Sequence, residues 1–147
     1  MLAVLACVLD LGTRRLVGYS LGTQMTKQLV IAALSMAYEN EMPSPGCIFH
    51  SHQRFQYCSA AFQKSLTEHH MISSMSHRGQ CWDNAPAESF GATLKRETLP
   101  MSESFSSRIE AQKKVQDWIY YYNGRRPHSK LRMKSPNSYY AQLLKAI

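Results

Sequence analysis

Two stretches of this 147-residue chain hold side chains suited to chemistry on a charged substrate. The first is Asp83-Asn84-Ala85-Pro86-Ala87-Glu88, followed by Lys95. Pro86 suits the first turn of a helix, where a missing N–H is no loss, and Asp83 or Asn84 suits its cap. Glu88 then falls where the helix dipole favours an anion, and Lys95 returns to the same face two turns along. A carboxylate and a lysine on one stripe suit a metal-bound phosphate with a basic grip beside it. On spacing alone, a solvated face with a capping aspartate is the simpler reading. The second stretch is Tyr120-Tyr121-Tyr122-Asn123-Gly124-Arg125-Arg126-Pro127-His128. Arginine offers bidentate phosphate contacts and aromatic rings offer stacking faces for bases. Part of that aromatic stripe must be core, whereas Arg125, Arg126, Lys130, Arg132 and Lys134 have no such need of burial. Nucleic-acid contact competes here with an ordinary solvated turn.

Two further patterns carry less. Gly18-Tyr19-Ser20-Leu21-Gly22 matches the G-x-S-x-G elbow of serine hydrolases, and Asp83 or Asp117 and then His128 follow in the right order. The helix that should begin directly after the serine is displaced by Gly22 to Met25, so a strand end with two turn glycines is the better account. His50 and His52 would share one face of a strand, as alternate residues do, and imidazole suits zinc-like metals. A third ligand at a sensible spacing is not evident beyond Cys58.

These residues need elements to hold them. Ala3 to Asp10 is a continuous apolar run, as in a strand covered on both faces. Gly12-Thr13 gives a turn and Arg15 to Leu21 a second strand, which together read as a hairpin. From Thr26, a plausible cap, the period becomes helical through Val30, Ala33, Leu34 and Ala37, and Pro43-Ser44-Pro45-Gly46 stops it. Cys47–His50 reads as a short strand, Ser59–Glu68 as a helix and Met71–Met75 as a strand. Ser76–Asn84 reads as a loop. A helix then runs to about Glu97. A last long helix over about Ser107–Tyr122 places Ala111, Val115, Trp118, Ile119 and Tyr122 on one face. This order predicts an α/β domain with a helical, basic tail.

Composition agrees with one folded domain: 44% of residues are hydrophobic. Seventeen Lys and Arg against ten Asp and Glu give a net charge of +7, which favours a polyanionic partner. The charge is uneven, because residues 101–147 hold nine basic and three acidic side chains. With so few aspartates (Asp10, Asp83 and Asp117), a site of clustered carboxylates has little to draw on. The apolar run Leu2–Leu9 is too short to span a bilayer, and no basic residue precedes it as a secretion signal would require. Cys7, Cys47, Cys58 and Cys81 lie far apart and read as reduced, buried thiols of a cytosolic protein without membrane attachment.

Together these segments resemble the catalytic half of bacterial insertion-sequence transposases of the OrfB type, which have a retroviral-integrase-like core. The resemblance rests on Val8-Leu9-Asp10-Leu11, Arg14-Arg15-Leu16-Val17-Gly18-Tyr19-Ser20, His50-Ser51, Gln56-Tyr57, Ser74-Met75-Ser76 and Gly79. It continues through Asp83-Asn84-Ala85-Pro86-Ala87-Glu88-Ser89-Phe90, Leu94-Lys95, Glu97, Tyr122-Asn123, Arg126-Pro127-His128, Leu131 and Ser135-Pro136. It covers nearly the whole chain, and its Asn-Ala-Pro-Ala-Glu-Ser and terminal Tyr-Asn to Ser-Pro blocks are specific.

The resemblance implies a ribonuclease-H-like α/β fold and metal-dependent strand transfer at DNA ends. Three carboxylates of such a core hold two Mg²⁺ ions, which activate a water or 3′-hydroxyl and steady the leaving oxygen. Glu88 matches the third carboxylate and Lys95 the basic residue beyond it. Asp10 matches neither aspartate. The first would lie on a strand preceding Met1, and His52 occupies the place of the second, with Gln53-Arg54-Phe55 replacing the usual Arg-Gly-Ser. Imidazole is a poor ligand for hard Mg²⁺. The expectation is therefore a truncated, degenerate integrase core lacking its first, central strand. Residues 1–100 would be its α/β part and residues 101–147 a helical basic extension. Such a copy would be catalytically inactive, with Glu88 the one remaining metal ligand and Mg²⁺ not productively held. Lys95, Arg125, Arg126, His128 and Lys130 would contact DNA at insertion-sequence ends. The alternative is a DNA-binding remnant that modulates a full-length transposase. Self-association or mixed assembly with that transposase, and a place at the bacterial nucleoid, complete the expectations.

Overall fold

The chain is described from a computed structural model, which covers residues 3–52, 56–76, 85–98 and 105–147. The elements run β1 (Val4–Leu9), β2 (Leu16–Gly22), α1 (Lys27–Glu41), β3 (Ile48–His52), α2 (Ala60–Glu68), β4 (Ile72–Ser76), α3 (Ala85–Thr98), α4 (Arg108–Gly124) and α5 (Pro136–Lys145). A single 3₁₀ turn, Ser129–Leu131, separates α4 from α5. The expected loop over Ser76–Asn84 and the expected caps Asp83 and Asn84 fall, apart from Ser76, outside the described residues.

The strands form two ladders, β1 with β2 and β3 with β4. A turn as short as residues 10–15 permits only an antiparallel β1–β2 pair. The Asp10 carboxylate organises that turn, accepting from the Gly12 N–H at 3.1 Å and the Thr13 hydroxyl at 2.6 Å. β3 and β4 run parallel, in register from Ile48 opposite Ile72 to His52 opposite Ser76. Parallel strands need a crossover, and α2 supplies it. Side-chain caps begin the helices: Thr26 accepts from the Leu29 N–H, Ser59 from Phe62 and Ser107 from Glu110.

Two compact units result. One comprises residues 4–8 and 17–91, the other residues 1–3, 9–16 and 92–147. The first is built around Ala6, Leu29, Val30, Ala33, Leu34, Phe62 and Leu66. Phe62 is fully buried and meets Phe49 and Tyr57 edge-on, with centroids 5.5 and 5.3 Å away. Helix α1 lies so close over β2 that a Cβ on Gly18 would stand 2.3 Å from the Ala33 carbonyl oxygen. The G-x-S-x-G pattern therefore lies within one strand, not in a strand-to-helix elbow, and Gly18 is a packing glycine.

In the second unit, α4 buries the predicted face: Ala111, Val115, Trp118, Ile119 and Tyr122. Trp118 stacks on Tyr122 with ring centroids 5.0 Å apart. Beyond it comes α5, a helix that the periodicity of the tail does not announce. Ser135 caps it through the Ser138 N–H and Pro136 occupies its first turn. The cysteines depart from expectation. Cys47 and Cys58 are exposed because they sit in connections just ahead of β3 and α2, and among the described cysteines only Cys7, on β1, keeps a shielded thiol; Cys81 lies outside the described residues.

Candidate functional site

Glu88 lies in the first turn of α3 and is exposed, as is Lys95 further along the same helix. His52 ends β3, two residues after His50. The His50 ring places Nδ1 3.1 Å from the Ser74 hydroxyl on β4, while its buried Nε2 finds no partner among the described residues. Asp10 is committed elsewhere: its carboxylate holds the hairpin turn and faces the Arg15 guanidinium at 3.7 Å. Among the described residues, no three of His, Cys, Asp and Glu gather into a cation site. Magnesium, implied by the resemblance, prefers several oxygen ligands. Among the described residues, the donors that the resemblance assigns to the site are the exposed Glu88 and, in place of a second carboxylate, His52, a set that suits it poorly.

The expected basic side chains divide by environment. Arg126 makes a fork on Glu97: Nη2 donates to Oε1 at 2.8 Å and Nε to the two carboxylate oxygens at 3.0 and 3.2 Å. Trp118 Nε1 donates to the same carboxylate at 2.7 Å. Hydrogen bonding from Arg126, and secondarily from Trp118, holds the Glu97 carboxyl below its ordinary pKa. Arg126 is raised by the same partner. The fork joins residues twenty-nine apart in sequence, a pairing that no local pattern announces. Arg125, by contrast, is exposed, with its backbone N–H closing the last turn of α4 on Tyr121.

His128 caps the 3₁₀ turn, its Nδ1 accepting from the Lys130 N–H at 3.2 Å. Its backbone N–H donates to the Lys134 carbonyl, closing the loop from 128 to 134. Burial first, then the positive charges of Arg14, Arg126 and Lys130, depress the His128 pKa below its ordinary value. Lys130 and Arg132 are exposed. Tyr120 and Tyr121 turn outward beside Arg125, the former 80% exposed, which leaves aromatic faces available next to cations. Tyr122 turns inward, and burial pushes its hydroxyl up to about 12.

Integrase core domain models match residues 2–81 and 69–136. The 31 kDa protein of insertion element IS600 from Shigella sonnei is 39% identical over 136 residues, which are 92% of this chain and 50% of that protein. The transposase of insertion sequence element IS904 from Lactococcus lactis subsp. lactis (strain IL1403) is 40% identical over 92% of this chain and 53% of its own length. The chain thus spans about half the length of these relatives. Among solved structures, the catalytic core domain of BIV integrase superposes with a TM-score of 0.74 at 8% identity, over 98% of this chain and 89% of that one. The fold is therefore that of the retroviral integrase catalytic cores, ribonuclease-H-like, as expected. The chain belongs to the integrase core domain family and is a relative of the transposases of bacterial insertion sequences.

Proposed function

We propose that this chain takes part in DNA transposition as a DNA-binding integrase core that does not itself transfer strands. The donor set carries this reading. His52 stands where the family pattern has its second carboxylate, and imidazole is a poor ligand for a hard metal ion; Glu88 matches the third carboxylate. What the chain offers DNA instead is cationic and aromatic: Arg125, Lys130 and Arg132 are exposed beside Tyr120 and Tyr121, and Lys95 is exposed on α3. Insertion-sequence ends are the proposed ligand, bound mainly through phosphates. Mixed assembly with a full-length transposase is the proposed protein partnership.

The test uses labelled duplex carrying insertion-sequence ends, with Mg²⁺ or Mn²⁺ present. The chain should retard the duplex at low salt yet neither nick nor join it. Robust strand transfer by the unmodified chain, abolished by Glu88→Gln, would overturn the inactivity. No retardation even at low salt would overturn DNA binding.

A further inference from the structure

Helix α4 carries large apolar side chains on both of its sides. The side turned to the core holds Ala111, Val115, Trp118, Ile119 and Tyr122. At about 100° per residue, Ile109, Lys113 and Tyr120 fall on one stripe opposite that face. Ile109 and Tyr120 are each 80% exposed, and Lys113 between them is exposed as well. Tyr121, flanking the stripe, is 44% exposed. Tyr122, by contrast, is committed to packing: it stacks on Trp118 and donates its hydroxyl to the Arg14 carbonyl at 2.8 Å. Scattered apolar side chains on a surface are ordinary. Two consecutive tyrosines with open rings, continued by Ile109 along the same helix, make a patch, and a patch is a binding feature.

The charge around the patch selects its partner. Residues 108–132 hold seven Lys and Arg against two acids, Glu110 and Asp117. Glu110 is engaged locally, accepting from the Ser106 N–H at 2.8 Å and facing Lys114 at 3.7 Å. Lys113, two turns before Tyr120, and Arg125, just beyond the tyrosines, are both exposed. A purely apolar partner would leave these cations unmatched, whereas a polyanion bearing flat bases matches charge and rings together. Asp117, exposed one turn before the tyrosines, refines the fit. Its carboxylate repels phosphate from its own turn, so a strand laid here must put bases over the rings and phosphates towards Lys113 or Arg125. In a duplex each base face is stacked on its neighbours, and exposing one means breaking a pair. The rings therefore suit bases that are already unpaired.

We propose that the outer face of α4 is a stacking platform for a single-stranded tract of DNA, with Tyr120 and Tyr121 receiving unpaired bases and Arg125 and Lys113 the adjoining phosphates. The assignment rests on the DNA-binding reading above and adds to it the class of strand that this face takes. Stacking supplies affinity that carries no charge, and it is tolerant of base identity because every base has a π-face. The platform thus separates unpaired from paired DNA without reading sequence.

Fluorescence anisotropy with three labelled probes tests the platform: a blunt duplex, the same duplex with a short unpaired thymidine tail, and the same duplex with an abasic tail of equal length. The two tails carry equal charge and differ only in bases. The parent chain should bind the thymidine tail at least about fivefold more tightly than the abasic one. Tyr120→Ala should remove most of that advantage and Tyr121→Ala part of it, with the salt slope kept because no charge is lost. Tyr120→Phe, which retains the ring, should keep the advantage, and so should Lys64→Gln on the exposed face of α2. Irradiating a tail that carries 5-iodouracil should cross-link it to Tyr120 or Tyr121, mapped by peptide mass. If the parent binds both tails alike yet still binds the blunt duplex, the platform is wrong and the DNA-binding reading stands. If it binds none of the three probes, both fall. A parent dimer that Tyr120→Ala dissociates, with the tails bound alike, would give this face to a second copy of the chain and overturn the proposal. Should Tyr120→Ala fail to fold, cross-links of the parent confined to other elements would overturn it.

Discussion

At the scale of single residues, the arginine pair at the end of α4 separates into two jobs that the sequence presents as one. Arg125 is exposed, whereas Arg126 is forked onto Glu97 with side chains 23% and 28% exposed. A bidentate pair this partly shielded belongs at the upper end of surface ion pairs, about 1 kcal/mol. Glu97→Gln should lower stability by about that amount at pH 7, measured as a shift of the urea midpoint at constant slope. The sign with pH follows from the direction of the shift. Glu97 is held below its ordinary 4.5, so its contribution is complete above that value and is lost as the pH falls through the lowered native one. The penalty of Glu97→Gln should therefore shrink in acid. A penalty that persists undiminished there would assign the loss to packing around Trp118 instead. Thiols give a second residue-level contrast. Burial pushes the Cys7 thiol up to about 12, while Cys47 and Cys58 are exposed. Brief alkylation at mildly alkaline pH, mapped by peptide mass, should mark Cys47 and Cys58 and spare Cys7.

At the scale of elements, local chemistry was legible and distant pairing was not. Thr26, Ser59 and Ser107 are caps readable from the chain, because each hydroxyl acts within three residues of itself. The buried face of α4 follows from its period alone. Strand limits came within a few residues, since an apolar run shows where a strand must be but not where its ladder ends. What escaped depends on residues far apart in the chain: Glu97 with Arg126, Asn123 with Leu16, and the close approach of Gly18 to Ala33. Helix α5 escaped because its outer residues, Leu143 and Leu144 among them, stay exposed and blur the amphipathic signal. Of the candidate site, the place of Glu88 on an exposed first turn agrees with the sequence, whereas the commitment of Arg126 to Glu97 gave no local sign. Gly18 yields a direct test. A Cβ there would also stand 2.7 Å from the Ala37 backbone nitrogen, so α1 would have to lift off β2. Gly18→Val should destabilise the chain by about 1–3 kcal/mol or more, as overpacking does. Unfolding at the parent's urea midpoint would show that α1 rides more loosely on β2 than its distance indicates.

At the scale of the whole molecule, charge and fold point in the same direction through different parts of the chain. Residues 101–147 hold nine of the seventeen Lys and Arg but only three of the ten Asp and Glu. If that excess meets phosphates and not base edges, as proposed, binding should be nearly indifferent to duplex sequence and steeply sensitive to salt. Each phosphate neutralised adds roughly −0.9 to the slope of log affinity against log salt. The two arginines of α4's end should then behave differently in one experiment. Arg125→Ala should flatten the slope by close to one phosphate's share. Arg126→Ala should change it little, since its charge is already balanced by Glu97, while lowering the unfolding temperature. Equal flattening by both variants would mean that DNA pulls Arg126 away from Glu97 on binding. No flattening by either would place the electrostatic contact elsewhere, and Lys95 on α3 is the next position to substitute.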